Sequence, residues 1–488
     1  MSEGDSKSHS IFRGLQRLLF DLQNPPAGLH RLTRGQEAIA RAYSSGGSPA
    51  AWHLGAVVQV RGSLDLAAFE SALGHLQRRQ AVLRCALTAE DGAVQVAVSE
   101  SCVVPLLHTN VESLAPDLRD QFEQKTIDDD FAWNFDLSVA PLWRVRAIRR
   151  SVDEYLLIFV FHQLIADPTS LELVFTELGE HYAAATSGSD PWLPALAGSY
   201  AAFADRPEET AEARRESPAW NYWQTLTQSI PSQSNAAWSA APSVADAGGA
   251  SVPGCRSQYL GFPRAFSDHL RPAALHASAS IGAVVISGMI LSLRGLLGIP
   301  QPLVAVETAG RPSESEKDLV GFFANYLALP VQLKDSLPFS KLVEQVGARL
   351  TESFEHSEVP FSALFPLAFA SAESGRVGPR VLLAYSGRGW ETPELGDAVV
   401  NLFEFRRGPG CFDLVMDLRE GPDGLLGWAS YDTRVVDSEK VELFLQGFRG
   451  LLMHATQNDR LSLAQLLSHA TPLPGQPTSE SETPRRAA

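Results

Sequence analysis

Residues 155–182 read YLLIFVFHQLIADPTSLELVFTELGEHY, a strand-length apolar run followed at once by a helix-length amphipathic one. Residues 155–161 are apolar, β-branched or aromatic without interruption, the pattern of a buried strand. Leu171, Val174, Phe175, Leu178 and Tyr182 then recur at helical spacing, and Thr169 with Glu172 forms the capping-box pattern that opens a helix. Residues 162–168 must therefore make a tight strand-to-helix connection. It carries His162, Gln163 and Asp167, polar groups at the end of a buried strand, where the protein rather than water sets their environment.

Other short motifs surround this junction. Leu32-Thr33-Arg34-Gly35-Gln36 stands near the start, followed by Arg79-Gln80-Ala81-Val82-Leu83-Arg84; Phe135-Asp136-Leu137 and Pro141-Leu142-Trp143-Arg144 lead into the strand. Beyond the junction come Ala309-Gly310-Arg311-Pro312, Val320-Gly321-Phe322-Phe323-Ala324-Asn325 and His356-Ser357-Glu358-Val359-Pro360-Phe361. Phe412-Asp413-Leu414 and Tyr431-Asp432-Thr433 close the series. In this order, over about residues 30–460, the motifs resemble those of the condensation domain of nonribosomal peptide synthetases. That family's hallmark, His-His-x-x-x-Asp-Gly, reads here His162-Gln163-Leu164-Ile165-Ala166-Asp167-Pro168. The first His and the Asp are kept, while Gln163 replaces the second His and Pro168 the Gly. Gln80 likewise stands where the family's Arg-His-Glu-x-Leu-Arg motif has its His.

The resemblance implies a chloramphenicol-acetyltransferase-like architecture of two layered α/β lobes set in a V, with a tunnel between them and the hallmark loop at its middle. It implies a stand-alone acyltransferase of natural-product biosynthesis that binds no cofactor. The acyl or aminoacyl thioester would arrive on the phosphopantetheine arm of an acyl or peptidyl carrier protein and pass to an amine or alcohol acceptor. Two other readings stay open: a catalytically degenerate relative that recruits carrier proteins or tailoring enzymes, and an acyltransferase that takes free acyl-CoA. By position in the family pattern, Gln163 and His162 are the candidate catalytic residues, and Asp167 and Arg311 are a structural pair expected within salt-bridge reach. Asn325, Tyr385 and Ser386 are candidates for substrate contact, each equally suited to capping backbone groups. The chain contains no adenylation, carrier or thioesterase motif and is expected to act in trans.

Amide or ester formation from a thioester requires the acceptor to lose a proton and the developing oxyanion to be stabilised. A histidine near neutral pKa accepts that proton. Gln163 cannot, but its carboxamide both donates and accepts hydrogen bonds and can orient a nucleophile. His162 is the alternative base, yet adjacent side chains of an extended segment point to opposite faces, so a Gln163 that faces substrate sends His162 into the core. A partly buried Asp167 carboxylate needs a charged partner to offset its desolvation. Pro168 offers no N–H, so any contact to a glycine amide there is lost; it suits the first position of a helix.

With 488 residues, 45% of them hydrophobic, the chain has material for more than one core. Forty Lys and Arg against 56 Asp and Glu leave a net charge of −16 with no basic block. That balance argues against nucleic acid as a partner and makes docking to an acidic carrier depend on a local basic patch. Cys85, Cys102, Cys255 and Cys411 lack metal-ligand spacing and read as reduced, partly buried small hydrophobes. The polar start, MSEGDSKSHS, shows no export signal. The most apolar segment, residues 281–293, is shorter than the roughly 20 residues of a bilayer span. A core helix, no membrane and a cytoplasmic location are expected.

Residues 1–27 form an extension with an amphipathic helical pattern at Ile11, Phe12, Leu15, Leu18, Leu19 and Leu22. Residues 28–205 make the N-terminal lobe, 206–256 a linker rich in Ser, Ala, Pro and Gly from 228 to 254, 257–470 the C-terminal lobe, and 471–488 a polar, Pro-rich tail expected to be disordered. In the first lobe residues 56–61 read as a strand, Leu66, Phe69, Leu73 and Leu76 as a helix, and Asp91-Gly92 as a hairpin turn. In the second, residues 303–308 read as a strand, with helices through Leu342, Val346, Leu350 and Phe354 and through Val441, Phe444, Leu445, Phe448 and Leu451. Residues 402–431 are expected to hold strands that cross from the second lobe to the first.

Overall fold

The apolar run of residues 155–161 lies in the middle of a five-stranded sheet. A computed structural model describes residues 28–45, 48–90, 93–100, 102–206, 216–228, 230, 255–369, 378–421, 424–468, 470 and 473. The helix expected within residues 1–27, the Asp91-Gly92 turn, most of the 228–254 stretch and nearly all of the tail lie outside them. The described residues fall into two compact units, those within Met1–Glu208, Ala309–Ala324 and Trp390–Gly408, and those within Glu209–Thr308, Asn325–Gly389 and Pro409–Ala488. The first unit thus includes two segments that the sequence boundaries assign to the C-terminal lobe.

The five-stranded sheet of the first unit is built from β1 (His53–Arg61), β2 (Leu106–Asn110), β3 (Trp143–Ser151), β4 (Glu154–His162) and β5 (Val399–Arg407), in the order β5-β1-β4-β3-β2. All neighbours are antiparallel except β2 and β3. Strand β4 is central and covered on both faces, so all its residues after Glu154 are buried and no polar alternation shows. On one face Phe159 meets Phe69 of helix α2 (Leu66–Arg79) and Phe175 of helix α4 (Pro168–Ser187), with ring centroids 6.4 and 5.1 Å away. On the other face, helix α3 (Pro116–Phe131) ends against His53 and Gly55. Helix α1 (Arg34–Ser44) opens with a capping box in which Thr33 and Gln36 satisfy each other's backbone N–H groups. Cys85–Glu90 and Ala93–Val98 pair antiparallel, as the hairpin reading expects.

Helix α4 does not begin with the Thr169–Glu172 box. Asp167 is its N-cap, accepting from Ser170 N, and Pro168 takes the first helical position. Proline's fixed φ and missing N–H suit that position, and a cap at Asp167 places its carboxylate on the first turn's free N–H groups.

The second unit holds a six-stranded sheet in the order Asn325–Pro330, Leu303–Thr308, Val381–Ser386, Leu414–Gly421, Gly424–Asp432, Cys255–Pro263. Of the strands expected to cross, only β5 joins the sheet of the first unit; Leu414–Gly421 and Gly424–Asp432 pair with each other and stay in the second. The apolar segment at 281–293 is the core of helix α5 (Ile281–Leu297), buried on nearly all sides. It packs against α6 (Phe339–Glu355) and α7 (Ser438–Gln457). A side chain at Gly288 would reach within 2.4 Å of Leu452, so the glycine sets how closely α5 and α7 approach. Among the described residues no single helix is long and apolar enough to cross a membrane.

Candidate active site

The start of the hallmark connection is fastened by main-chain groups of the first unit. His162 N donates to Leu142 O at 2.9 Å, and Gln163 N to Trp52 O at 2.7 Å. Gln36, from the opening motif, donates through Nε2 to Leu164 O at 2.8 Å, so its capping box also braces the loop.

Gln163 is 4% exposed. Its Nε2 donates to Gly408 O at 3.1 Å and lies 3.4 Å from His53 O; its Oε1 takes no hydrogen bond among the described residues. Gly408 N in turn donates to His53 O at 2.6 Å. Only glycine fits at 408, because a Cβ there would stand 2.3 Å from backbone atoms of Ala50 and Ala51. Strand β5 therefore delivers a carbonyl to Gln163 through an approach no larger residue permits.

His162 is fully buried, with Tyr43 edge-on at 4.7 Å. Its Nδ1 accepts from Leu164 N at 3.1 Å. Burial first, and then neighbouring His53, hold its pKa well below the ordinary 6.5. The two hallmark side chains thus diverge, His162 into an aromatic box and Gln163 onto the main chain of β1 and of Gly408, the residue after β5.

Asp167 has every acceptor direction filled. Oδ1 accepts from Ser170 N and Ser170 Oγ at 2.7 Å each and from Arg311 Nη2 at 3.1 Å. Oδ2 accepts from Arg311 Nη1 at 3.1 Å, Phe323 N at 3.0 Å and Ala324 N at 3.1 Å. Arg311 also donates to Leu319 O and lies over the Phe323 ring at 4.4 Å. The turn that aims it needs Gly310, which has φ +61° and no room for a Cβ, 1.7 Å from Phe323 O. Ser170 Oγ accepts from Gly321 N at 2.9 Å. Gln80, at the second His-to-Gln position, accepts from Val320 N at 3.1 Å and donates to Asp318 O and to the buried Glu177. Desolvation pushes the Glu177 carboxyl up, with Arg79 opposing.

Asn325, Tyr385 and Ser386 lie in the second unit. Asn325 Nδ2 donates to Ser357 O and Val359 O at 2.8 Å each, and its Oδ1 accepts from Phe361 N at 2.8 Å, so the side chain shapes the loop of the His356–Phe361 motif. Tyr385 OH donates to Glu420, and burial followed by that carboxylate raises its pKa. Ser386 Oγ accepts from Arg388 N at 3.2 Å.

Sequence reasoning missed Ser170, His53 and Gly408. Ser170 was readable as the third residue after an Asp cap. The other two act through main-chain carbonyls brought in by strand pairing, which leaves no local sequence signal.

The condensation-domain family model matches residues 30–471. This chain belongs to the condensation-domain family. It is 25% identical to the nonribosomal peptide synthetase kk1B of Curvularia clavata over 430 residues, 86% of the chain and 3% of that protein. It is 25% identical to the phosphinothricin tripeptide synthetase PhsC of Streptomyces viridochromogenes over 409 residues, 80% of the chain. The chain spans 36% of PhsC's own length. Its fold is that of the first condensation domain of the calcium-dependent antibiotic synthetase, solved with substrate analogue 3a (TM-score 0.73, 20% identity, 90% of this chain and 99% of that one). It is also that of the X-domain in the complex of the X-domain and OxyB from teicoplanin biosynthesis (TM-score 0.73, 19% identity, 91% and 97%). The mixed α/β units are thus those of the chloramphenicol-acetyltransferase-like condensation fold, whose family forms amides and esters and works with carrier proteins.

Proposed function

We propose that this condensation domain is an acyltransferase that passes a carrier-bound acyl or aminoacyl group to an amine, with Gln163 positioning the acceptor rather than taking its proton. The orientation of one carboxamide carries this reading. Because Gln163 Nε2 is tied to Gly408 O, its Oε1 is held as an oriented acceptor, suited to an amine N–H. The amine nitrogen attacks the thioester carbonyl, the C–N bond forms, the C–S bond breaks, and the amine proton ends on the departing thiolate. Positioning alone supplies up to about 7–11 kcal/mol in well-oriented cases, enough to serve an amine without a base. An alcohol acceptor lacks that intrinsic nucleophilicity and is disfavoured. The donor would be the phosphopantetheine thioester of an acyl or peptidyl carrier protein, with no cofactor resident in the chain. Tyr385 and Ser386 are carried in this reading as candidates for substrate contact, and Asn325 as the residue that shapes the His356–Phe361 loop.

A second reading, a platform that recruits carrier proteins or a tailoring enzyme, is favoured by the burial of both hallmark side chains and by the fold shared with an X-domain solved in complex with OxyB. Intact-mass analysis of acyl-loaded carrier protein with amine acceptors separates the two. Transfer by wild type that Gln163→Ala slows supports positioning. An inert wild type with an active Gln163→His variant marks a disabled transferase, and inertness of both leaves the platform. Replacing the carrier with acyl-CoA in a parallel arm tests the third donor class.

A further inference from the structure

We propose that His53 is a positioning residue for Gln163, acting through a neutral pair with His162 in which the two rings carry their protons on opposite nitrogens. This rests on the reading of Gln163 given above. His53 and His162 face each other across β1 and β4 as register partners, with ring centroids 5.7 Å apart and planes at 69°. His53 Nδ1 lies 2.7 Å from Phe131 O, and a carbonyl only accepts, so Nδ1 bears the proton and Nε2 is a bare lone pair. His162 Nδ1 lies 3.1 Å from Leu164 N, and an amide N–H only donates, so Nδ1 is bare and Nε2 bears the proton.

What is left is one donor and one acceptor. Both Nε2 atoms are buried, and neither has a partner among the described residues. A buried polar atom without a partner is costly, and a single water between the two rings satisfies both at one stroke, accepting from His162 Nε2–H and donating to His53 Nε2. A proton added to either ring sets two donors against each other. Burial lowers the pKa of both rings, His53 to about 4, which keeps the pair neutral.

The charged and titratable groups on the surrounding elements are already committed. Tyr43 of α1 donates its one hydroxyl hydrogen to Asn134 Oδ1 at 2.6 Å, with Phe135 O 2.9 Å away and Asp136 near it. Asp130 of α3 pairs with Arg144 and Arg146 of β3, and Arg406 of β5 with Glu404 and Asp128. The His53 peptide is the point through which the pair reaches Gln163. Its carbonyl accepts Gly408 N and faces Gln163 Nε2, while the His162 ring fixes the residue before Gln163.

Nitrogen-15 NMR of the full chain tests this in wild type, His53→Phe, His162→Phe and the double variant, alongside kcat and KM for amine condensation. At pH 7 the imidazole shifts should report a proton on Nδ1 of His53 and on Nε2 of His162. The Gln163 side-chain amide hydrogens should exchange about tenfold faster in each single variant, and no faster in the double variant than in His53→Phe, because the second substitution removes a group already orphaned. The same tautomer in both rings, or exchange rates that multiply across the two substitutions, overturns the pair. Where a variant does not fold, the wild-type tautomers decide the question. If the NMR pattern holds and wild type transfers no acyl group, the pair stands and the transferase reading falls. If wild type is active and kcat effects simply multiply at constant KM, the transferase stands and the pair falls.

Discussion

Arg311 grips Asp167 through both arms of its guanidinium, Nη1 on Oδ2 and Nη2 on Oδ1, each at 3.1 Å, with side chains 5% and 1% exposed. Because the carboxylate also caps α4 and collects Phe323 N and Ala324 N, it ties the segment Ala309–Ala324 to the hallmark loop. Arg311→Ala leaves that buried charge unpaired, and urea unfolding should show a loss of about 3–5 kcal/mol. Arg311→Lys should recover only part of it, since a single ammonium cannot reproduce the two-pronged geometry.

Gly408→Ala forces a methyl group against the backbone of Ala50 and Ala51. Thermal unfolding should report a destabilisation of about 1–3 kcal/mol, typical of overpacking. Acyl transfer by the folded fraction should fall as well, because the carbonyl that holds Gln163 Nε2 must shift.

Gln80→Ala removes the acceptor of Val320 N–H and a donor to Glu177, both buried. The expected loss is about 1–3 kcal/mol for groups left without partners. Hydrogen exchange should localise it, with the Val320 amide losing protection while the amides of β4 keep theirs.

Acid should weaken the fold through its buried histidines. His53 titrates at 6.5 when unfolded and at about 4 when folded, and His162 is likewise held well below 6.5 in the folded chain. The unfolded chain therefore binds more protons between these values. The stability these rings provide is complete above about pH 6.5 and drains as pH falls toward 4, at up to about 1.4 kcal/mol per pH unit for each ring. His30 and His181, also lowered by burial, act in the same direction. Urea midpoints measured from pH 7 to pH 4 should decline, and His53→Phe should flatten that decline; an unchanged slope in the variant would show that another group is responsible.

The central strand, helix α4, helix α5 and the partner of Asp167 were legible in the sequence because each follows from a local period or from a motif that names its residues. The cap of α4 was misread by two residues: Thr169–Glu172 satisfies the local pattern, but Asp167, fixed from afar by Arg311, captures Ser170 N first. The unit membership of Ala309–Ala324 and Trp390–Gly408 was not legible either, because it is decided by ladder pairing of β5 with β1 and by a carboxylate that collects distant amides. The surroundings of Gln163 were hidden most completely. Its partners are carbonyls, and every amino acid has one.

That seat has an evolutionary corollary. A holder made of peptide oxygens survives almost any exchange of neighbouring side chains, and it accepts any occupant with an N–H to give. An imidazole at position 163 could hand one ring N–H to the Gly408 oxygen and keep its other nitrogen basic. Glutamine and histidine codons differ at a single base, so passage between a polar clamp and a proton acceptor lies one mutation away in either direction, with the socket already built.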